Sequence, residues 1–232
     1  MNPVWSPDGR YIAFSGKGGI FWTRSDGAGK PQPLTQSKNV QTPFSFTPDG
    51  KRLAFDELNA TVGYALWTVP LESDGTGLRG GKPELLLRSS YGESGPMFSP
   101  DGRWLAYNSY EPETFQVYVR PFPDRGGKWQ ISNGGGSDPV WSRNGRELFF
   151  RTADNRIMVA TYMVKGDSFV ADQPRGWSEK RLGGRDYDVA PDGKRIAALM
   201  PVVTTESQQA QSHVVFLLNF FDEVRRRAPA GR

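Results

Sequence analysis

A twelve-residue pattern that recurs five times limits this chain to a repeat architecture. Each copy has an apolar run, an Asp-Gly or Asn-Gly turn, a basic residue and a second apolar run, as in Pro96–Tyr107. The turn glycines are Gly9, Gly50, Gly102, Gly145 and Gly193, so successive copies lie 41, 52, 43 and 48 residues apart. Because a supersecondary unit repeated at this length is typical of propellers and solenoids, the repeat predicts one of these two architectures.

The residue before each turn glycine has a local explanation. Proline at the first central position fixes φ, Asp bonds its own downstream backbone, and Gly adopts the positive φ of a tight turn. Asn144-Gly145 provides the same turn in the fourth copy. Since each turn belongs to its own hairpin, we interpret these residues as turn formers and not as a ring of metal ligands. They are Asp8, Asp49, Asp101, Asn144 and Asp192.

Short β-branched and aromatic runs between turn signals predict about four antiparallel strands in each repeat. We therefore predict an all-β fold, a β-propeller with five blades of which the last is incomplete. The blades are expected near residues 3–35, 43–88, 96–132, 139–180 and 187–221. Residues 1–221 would form one domain, followed by a basic tail at 222–232. Residues 72–82 are expected to form a long, glycine-rich loop.

One aromatic position of the repeat predicts how the blades pack. Trp5, Phe46, Phe98 and Trp141 occupy equivalent places in the first four copies, and Val189 stands there in the fifth. Stacked sheets need large apolar side chains between them. These residues are therefore expected to form the core between neighbouring blades.

The motif Trp5-Ser-Pro-Asp-Gly-Arg-Tyr-Ile-Ala-Phe14 and its copies resemble the WD-like repeat of TolB-type β-propellers, over residues 3–198. The segment Val214–Arg226 is similar to the closing segment of propellers found C-terminal to bacterial serine/threonine kinase domains. The resemblance implies six or more blades and closure by a strand from one terminus paired into the blade at the other. Two alternatives follow for this chain: a five-bladed ring with an incomplete last blade, or a fragment that completes itself with another chain.

Composition narrows the function classes only slightly. Without cysteine, neither disulfides nor thiolate chemistry is available. The net charge of +4 owes much to Arg225–Arg227 and Arg232, and interleaved charges elsewhere argue against nucleic-acid binding. No apolar run is long enough to span a bilayer, and the N-terminus lacks the pattern of an export signal. As written, the chain is expected in the cytoplasm, or outside it as part of a longer exported or anchored protein.

Residues just before the first strand of each blade are expected to line the mouth of the central channel. Carboxylates from several blades could there hold a hard cation such as Ca²⁺, with Glu93, Asp138 and Asp186 as the metal ligands. The alternative is a water-filled channel lined by polar residues. The whole set is Asn2, Thr42, Glu93, Asp138, Asp186 and, slightly further on, Asp188. Trp177 is the best candidate for an exposed ligand contact, and packing in the fourth strand is its alternative role.

The favoured function is a non-catalytic scaffold or sensor that binds a protein or peptide through rim loops. The alternative is a weak metal-dependent hydrolase of phosphoesters, esters or lactones, with a cation at the channel mouth. A serine hydrolase is disfavoured, because Tyr91–Pro96 is one residue short of G-x-S-x-G and His213 is the only histidine. The apolar segment His213–Phe221 would leave an open strand edge, which predicts self-association.

Overall fold

The computed structural model describes residues 3–200 except Thr76 and Pro112, and these residues form twenty strands and no helix. These described residues belong to one compact unit. The first blade contains β1 (Val4–Trp5), β2 (Tyr11–Gly16), β3 (Gly19–Arg24) and β4 (Gln32–Pro33). The second contains β5 (Val40–Phe46), β6 (Arg52–Asn59), β7 (Gly63–Ser73), β8 (Leu78–Gly80) and β9 (Glu84–Leu87).

The third blade contains β10 (Glu93–Phe98), β11 (Trp104–Glu111), β12 (Thr114–Pro121) and β13 (Trp129–Gln130). The fourth contains β14 (Ser137–Trp141), β15 (Glu147–Arg151), β16 (Ile157–Lys165), β17 (Ser168–Ala171) and β18 (Arg175–Gly176). In the fifth, the described residues form β19 (Tyr187–Val189) and β20 (Ile196–Ala198). All pairings are antiparallel between neighbouring strands, so the predicted all-β fold with five repeats is confirmed.

The predicted turns form as the sequence indicates. Gly9, Gly50, Gly102, Gly145 and Gly193 all have φ between 68° and 70°. The carboxylate of Asp8 accepts hydrogen bonds from Ser6 Oγ at 2.6 Å and from the Arg10 N–H at 3.1 Å. These two bonds, the Ser6 bond first, hold the pKa of Asp8 below its usual value. The aspartates therefore serve their own turns.

Neighbouring blades pack an inner-strand aromatic against the blade before it. Phe46 belongs to the core formed with the first blade, Phe98 to the core with the second, and Trp141 to the core with the third. These side chains are 8%, 6% and 6% exposed. Trp5 departs from the expectation, since it is 58% exposed. No described blade lies against its side of the first blade.

The second and fourth blades carry an extra hairpin that the sequence did not reveal. Residues 72–82, expected as a loop, instead extend the long strand β7 into a hairpin with β8. Arg10 of the first blade donates to the carbonyl of Gly75 at the tip of this hairpin. In the fourth blade, β16 and β17 form a similar hairpin, and Arg103 of the third blade donates to the Gly166 carbonyl. Each hairpin thus folds over the blade that precedes it.

Several predictions concern residues outside the described part of the chain. These are the completion of the fifth blade, the open edge at His213–Phe221, and the domain boundary at residue 221 with its basic tail. Within the described residues, none of the secondary structure could serve as a membrane-spanning helix.

Candidate binding surface at the upper rim

We call the upper rim the end of the blades where the inner strands begin. It also carries the turns between the second and third strands and the connections between blades. Every described residue that the sequence placed at the channel mouth lies at this end, as does the surface described below.

Glu93 opens β10, but its carboxylate is turned into the protein. The side chain is buried and accepts hydrogen bonds from the Ser89 N–H and hydroxyl. Gln41 occupies the matching place in the second blade, where it bonds Thr35 and Glu57. Both residues fix the connection that leads into their blade. Glu93 is therefore equivalent to Gln41 and not, as the sequence suggested, to Asp138.

Asp138 lies in the bulge of β14 and has a φ of 56°. Its carboxylate forms an ion pair with the buried guanidinium of Arg151, at 2.7 Å between Asp138 Oδ2 and Arg151 Nη2. Its backbone carbonyl accepts a hydrogen bond from the Tyr187 hydroxyl of the fifth blade at 2.7 Å. Asp138 thus joins two blades, and its charge is neutralised by a neighbour within the protein.

Asp186 and Asp188 are exposed, and Asp188 accepts a hydrogen bond from the Val189 N–H at 2.8 Å. In the part of the chain that the structure describes, no group of three or more His, Cys, Asp or Glu side chains could hold a metal ion. The Ca²⁺ site proposed for Glu93, Asp138 and Asp186 stays a prediction. Asn2 lies outside the described residues.

A polar position that follows the repeat motif connects each of the first three blades to the next. Ser15 Oγ donates to the Gln41 carbonyl at 2.9 Å. Asp56 Oδ2 accepts from the Gly95 N–H at 3.3 Å, and Asn108 Oδ1 accepts from the Asp138 N–H at 3.0 Å. In each case a side chain of the second strand bonds the backbone of the following inner strand. The bulges of the inner strands β10 and β14 lie at these contacts.

Asp56 is the unusual member of this series. It is only 3% exposed, and its second oxygen, Oδ1, has no hydrogen-bond partner among the described residues. Burial raises the pKa of Asp56 from 3.8 to about 7, and hydrogen bonds from the Gly95 N–H and the Thr42 hydroxyl offset only part of that rise. The joint between the second and third blades therefore contains a carboxyl group that changes charge near neutral pH. Sequence reasoning missed this carboxyl group, because an isolated Asp looks like any other polar strand residue.

Trp177 is half-buried and not the exposed contact that the sequence suggested. The Trp177 ring packs edge-on against Phe149 with the ring centroids 6.4 Å apart. The backbone N–H of Trp177 donates a hydrogen bond to the Ile157 carbonyl. This is the alternative role in fourth-strand packing. Its use as a ligand contact is not tested by these contacts.

Exposed aromatic side chains instead gather at the upper rim of the second and third blades. Each of these side chains is between 40% and 49% exposed. They are Tyr64, Tyr91, Tyr110 and Phe115. We name these four residues the aromatic rim. The Gly92 carbonyl accepts from the Tyr110 N–H at 3.0 Å, and a Cβ at Gly92 would lie 3.8 Å from Tyr64 Cβ. The connection 88–92 therefore passes close to the backbone of both Tyr64 in the second blade and Tyr110 in the third.

The aromatic rim rests on well-formed hairpins. Tyr110 and Phe115 are directly paired across β11 and β12, and their ring centroids are 4.9 Å apart. At the other blade, Asn59 Oδ1 accepts from the N–H groups of Thr61 and Val62, which fixes the turn that leads to Tyr64. The rings are thus held by paired backbone while remaining open to solvent. Sequence reasoning missed them, because aromatic residues near turns also read as ordinary strand residues.

The successive antiparallel sheets, most of them with four or five strands and packed through their inner strands, define a β-propeller. Solved structures similar to this chain are TolB-type and WD40 propellers. A TolB-like protein from Agrobacterium tumefaciens is 22% identical with a TM-score of 0.61, over 87% of this chain and 74% of its own. The Myceliophteria thermophila Cps50 (Swd1) propeller domain is 11% identical with a TM-score of 0.55, over 75% of this chain and 57% of its own.

An enzyme shares the same fold. An oligogalacturonate lyase in complex with manganese is 11% identical with a TM-score of 0.61, over 87% of this chain and 58% of its own. At these identities the likeness concerns the fold alone.

Sequence comparison also finds curated relatives. The uncharacterized protein Atu1656 of Agrobacterium fabrum is 27% identical over 179 residues, which are 72% of this chain. This chain spans about half, 55%, of that relative's length. No family model matches the sequence. The position C-terminal to a kinase domain stays a prediction.

Proposed function

We propose that this propeller is a binding module that takes a protein or peptide segment on its aromatic rim. The observation that carries the proposal is the exposure of four aromatic rings on adjacent blades at one end of the fold. Large exposed apolar patches on a soluble fold mark interaction sites more often than isolated apolar residues do. Tyrosine suits this role, because its ring provides contact area while its hydroxyl stays hydrogen-bonded at a wet boundary.

The chemistry of the rim favours an extended segment with apolar side chains. Aromatic rings held by hairpins lose little conformational freedom on binding, so more of the contact energy appears as affinity. Ring faces accept proline and aliphatic side chains, and the backbone of the turns between the second and third strands of each blade offers polar groups to a bound main chain. At this rim Glu111 is paired with Lys128 at 2.8 Å. Apolar contact is therefore expected to dominate recognition.

Selection from a displayed peptide library tests the proposal, with affinity of a selected synthetic peptide as the measurement. We expect the double variant Tyr64→Ser/Tyr110→Ser to weaken binding at least about tenfold, since each exposed aromatic anchor contributes about 1 kcal/mol or more. The matched control is Met163→Ser/Val170→Ser, which removes two exposed apolar side chains from the hairpin at the opposite end. Equal loss in both variants, or no enrichment of any peptide, would contradict the proposal.

The hydrolase with a cation at the channel mouth stays the alternative. Its test is separate: the unfolding temperature of chelator-treated protein is measured with and without added Ca²⁺, and again for Glu93→Gln. A rise that the variant lacks would favour the metal site. A temperature that Ca²⁺ leaves unchanged would remove the site together with the hydrolase that depends on it.

A further inference from the structure

The first blade exposes an apolar face on the side turned away from the second blade. Trp5 is its most exposed member, and the rings of Phe14 and Phe21 stack there with their centroids 6.2 Å apart. Ile12 and Phe14 are only half-buried. We name Trp5, Ile12, Phe14 and Phe21 the open face of the first blade.

The other blades show what normally covers such a face. Leu53 and Phe55 occupy the places of Ile12 and Phe14 in the second blade, and both are fully buried against the first blade. The same pair of positions is buried in the next two blades, as Leu105 and Tyr107 and then as Leu148 and Phe150. Three interfaces within one molecule therefore define the partner of this kind of face. It is the opposite side of another blade.

The first three internal interfaces each place a small residue under the inner-strand aromatic of the next blade, whereas the fourth has Phe149 at this position, packed with Val189 of the fifth blade. Ala13 shares a core cluster with Phe46, and Ala54 shares one with Phe98. Ala106 shares a third with Trp141. These alanines occupy one position of the second strand, and all three are completely buried. The contact is thus a flat alanine surface that receives an aromatic ring.

Among the described residues, the fifth blade presents the same surface without an aromatic partner. Ala197 occupies the alanine position in β20 and is exposed, and Leu199 on the same side is 64% exposed. Trp5 is the matching aromatic residue at the other end of the described chain. Since both are exposed, they do not cover each other within one molecule.

We propose that a second copy of this chain covers the open face, with Ala197 and Leu199 of one molecule packed against Trp5 of the other. The contact continues the series of blade interfaces already present inside the protein. It joins two different surfaces, so it is head-to-tail, and it closes into a ring or extends into longer assemblies according to its rotation angle. It differs from pairing through the strand edge at His213–Phe221, which would join two identical surfaces.

Sedimentation of the full chain at tens of micromolar tests the assembly. We expect a mass of at least twice 25.8 kDa for the wild type, and 25.8 kDa for Trp5→Asp. The matched control is Val40→Asp, which removes an exposed apolar residue of the second blade and should leave the assembly intact. An unchanged unfolding midpoint for Trp5→Asp shows that the loss does not come from misfolding.

Mixing two defective variants tests the head-to-tail arrangement itself. Ala197→Arg blocks the other surface and should also be a monomer. A mixture of Trp5→Asp with Ala197→Arg retains one intact pair of surfaces and should form a 1:1 dimer that grows no further. If Ala197→Arg does not fold, Leu199→Asp replaces it. Wild type at 25.8 kDa, assembly that survives Trp5→Asp, or a mixture that stays monomeric would each overturn the proposal.

Discussion

Replacing Asp56 by Asn should make the protein more stable at pH 8 and change its stability little at pH 4. The carboxyl group is buried between the second and third blades with one oxygen unpartnered, and its pKa is raised to about 7. In the unfolded chain the same group ionises near 3.8. Between these values the folded protein binds a proton that the unfolded chain has released, so the free energy of unfolding falls as the pH rises.

The expected size follows from the two ionisation constants. A pKa difference of one unit corresponds to about 1.4 kcal/mol. The pKa values of 3.8 and about 7 for Asp56 therefore correspond to about 4 kcal/mol of unfolding free energy, which the wild type loses between pH 4 and pH 7. Asn keeps an oxygen for the Gly95 N–H but carries no charge, as Asn108 shows at the equivalent place in the third blade. The stability of Asp56→Asn relative to wild type should therefore rise by about that amount from pH 4 to pH 8.

Denaturant unfolding at pH 4, 6 and 8 measures the free energy of unfolding of Asp56→Asn and of the wild type. Subtracting the two values at each pH cancels the contributions of the other titrating groups. The control is Asp26→Asn. There the hydrogen bond from Arg24, helped by the Ala28 N–H, lowers the pKa of Asp26 to about 2. Asp26 is therefore ionised in both states above pH 5, and the difference for its variant should stay nearly constant. A constant difference for Asp56→Asn as well would refute the reasoning, because the buried carboxyl would then not be the source of the pH dependence.

Two further substitutions test the packing of the blades. Gly102→Val should destabilise the fold by well over the roughly 1 kcal/mol of an average substitution, because Gly102 has a φ of 69° and a Cβ there would lie 3.2 Å from Pro48 Cδ. Gly145→Val, with a φ of 68° and open space around it, should cost less, and equal unfolding midpoints would exclude the Pro48 contact as a cause. Phe169→Ala should lower stability by about 3–5 kcal/mol, since the ring is buried 5.1 Å from Trp104 and 4.9 Å from Tyr162 between centroids. Its exposed neighbour Val170→Ala should change stability by less than about 0.5 kcal/mol, and a similar small effect for Phe169→Ala would show that the hairpin does not seal the third blade.

The sequence alone determined the repeat, its turns and therefore the fold class. Positive φ at a turn is a local requirement, so Gly102 and its four equivalents can be recognised as turn residues without any knowledge of the rest of the chain. The positions of the aromatic residues on the inner strands follow from the same alignment of the repeats. The hairpin with its tip at Gly166 was not predicted, because the turn signal at Lys165-Gly-Asp167 does not show that β16 pairs with both β17 and β18.

Tertiary structure decided the properties that depend on which blades pack against each other. Trp5 and Trp141 are equivalent in sequence, yet one is exposed and the other buried, because burial depends on a neighbouring sheet and not on the residue itself. Asp56 and Asp186 are both ordinary carboxylates in the sequence, but Asp56 is enclosed between blades, where burial raises its pKa, whereas Asp186 is exposed to solvent. The aromatic rim likewise depends on a connection of a few residues that passes close to the backbone of both Tyr64 and Tyr110. Local sequence determines where the strands lie, but the exclusion of solvent is a property of the packed sheets. The packed sheets therefore determine the charge state of a buried carboxyl group, the exposure of each aromatic side chain and the location of the binding surface.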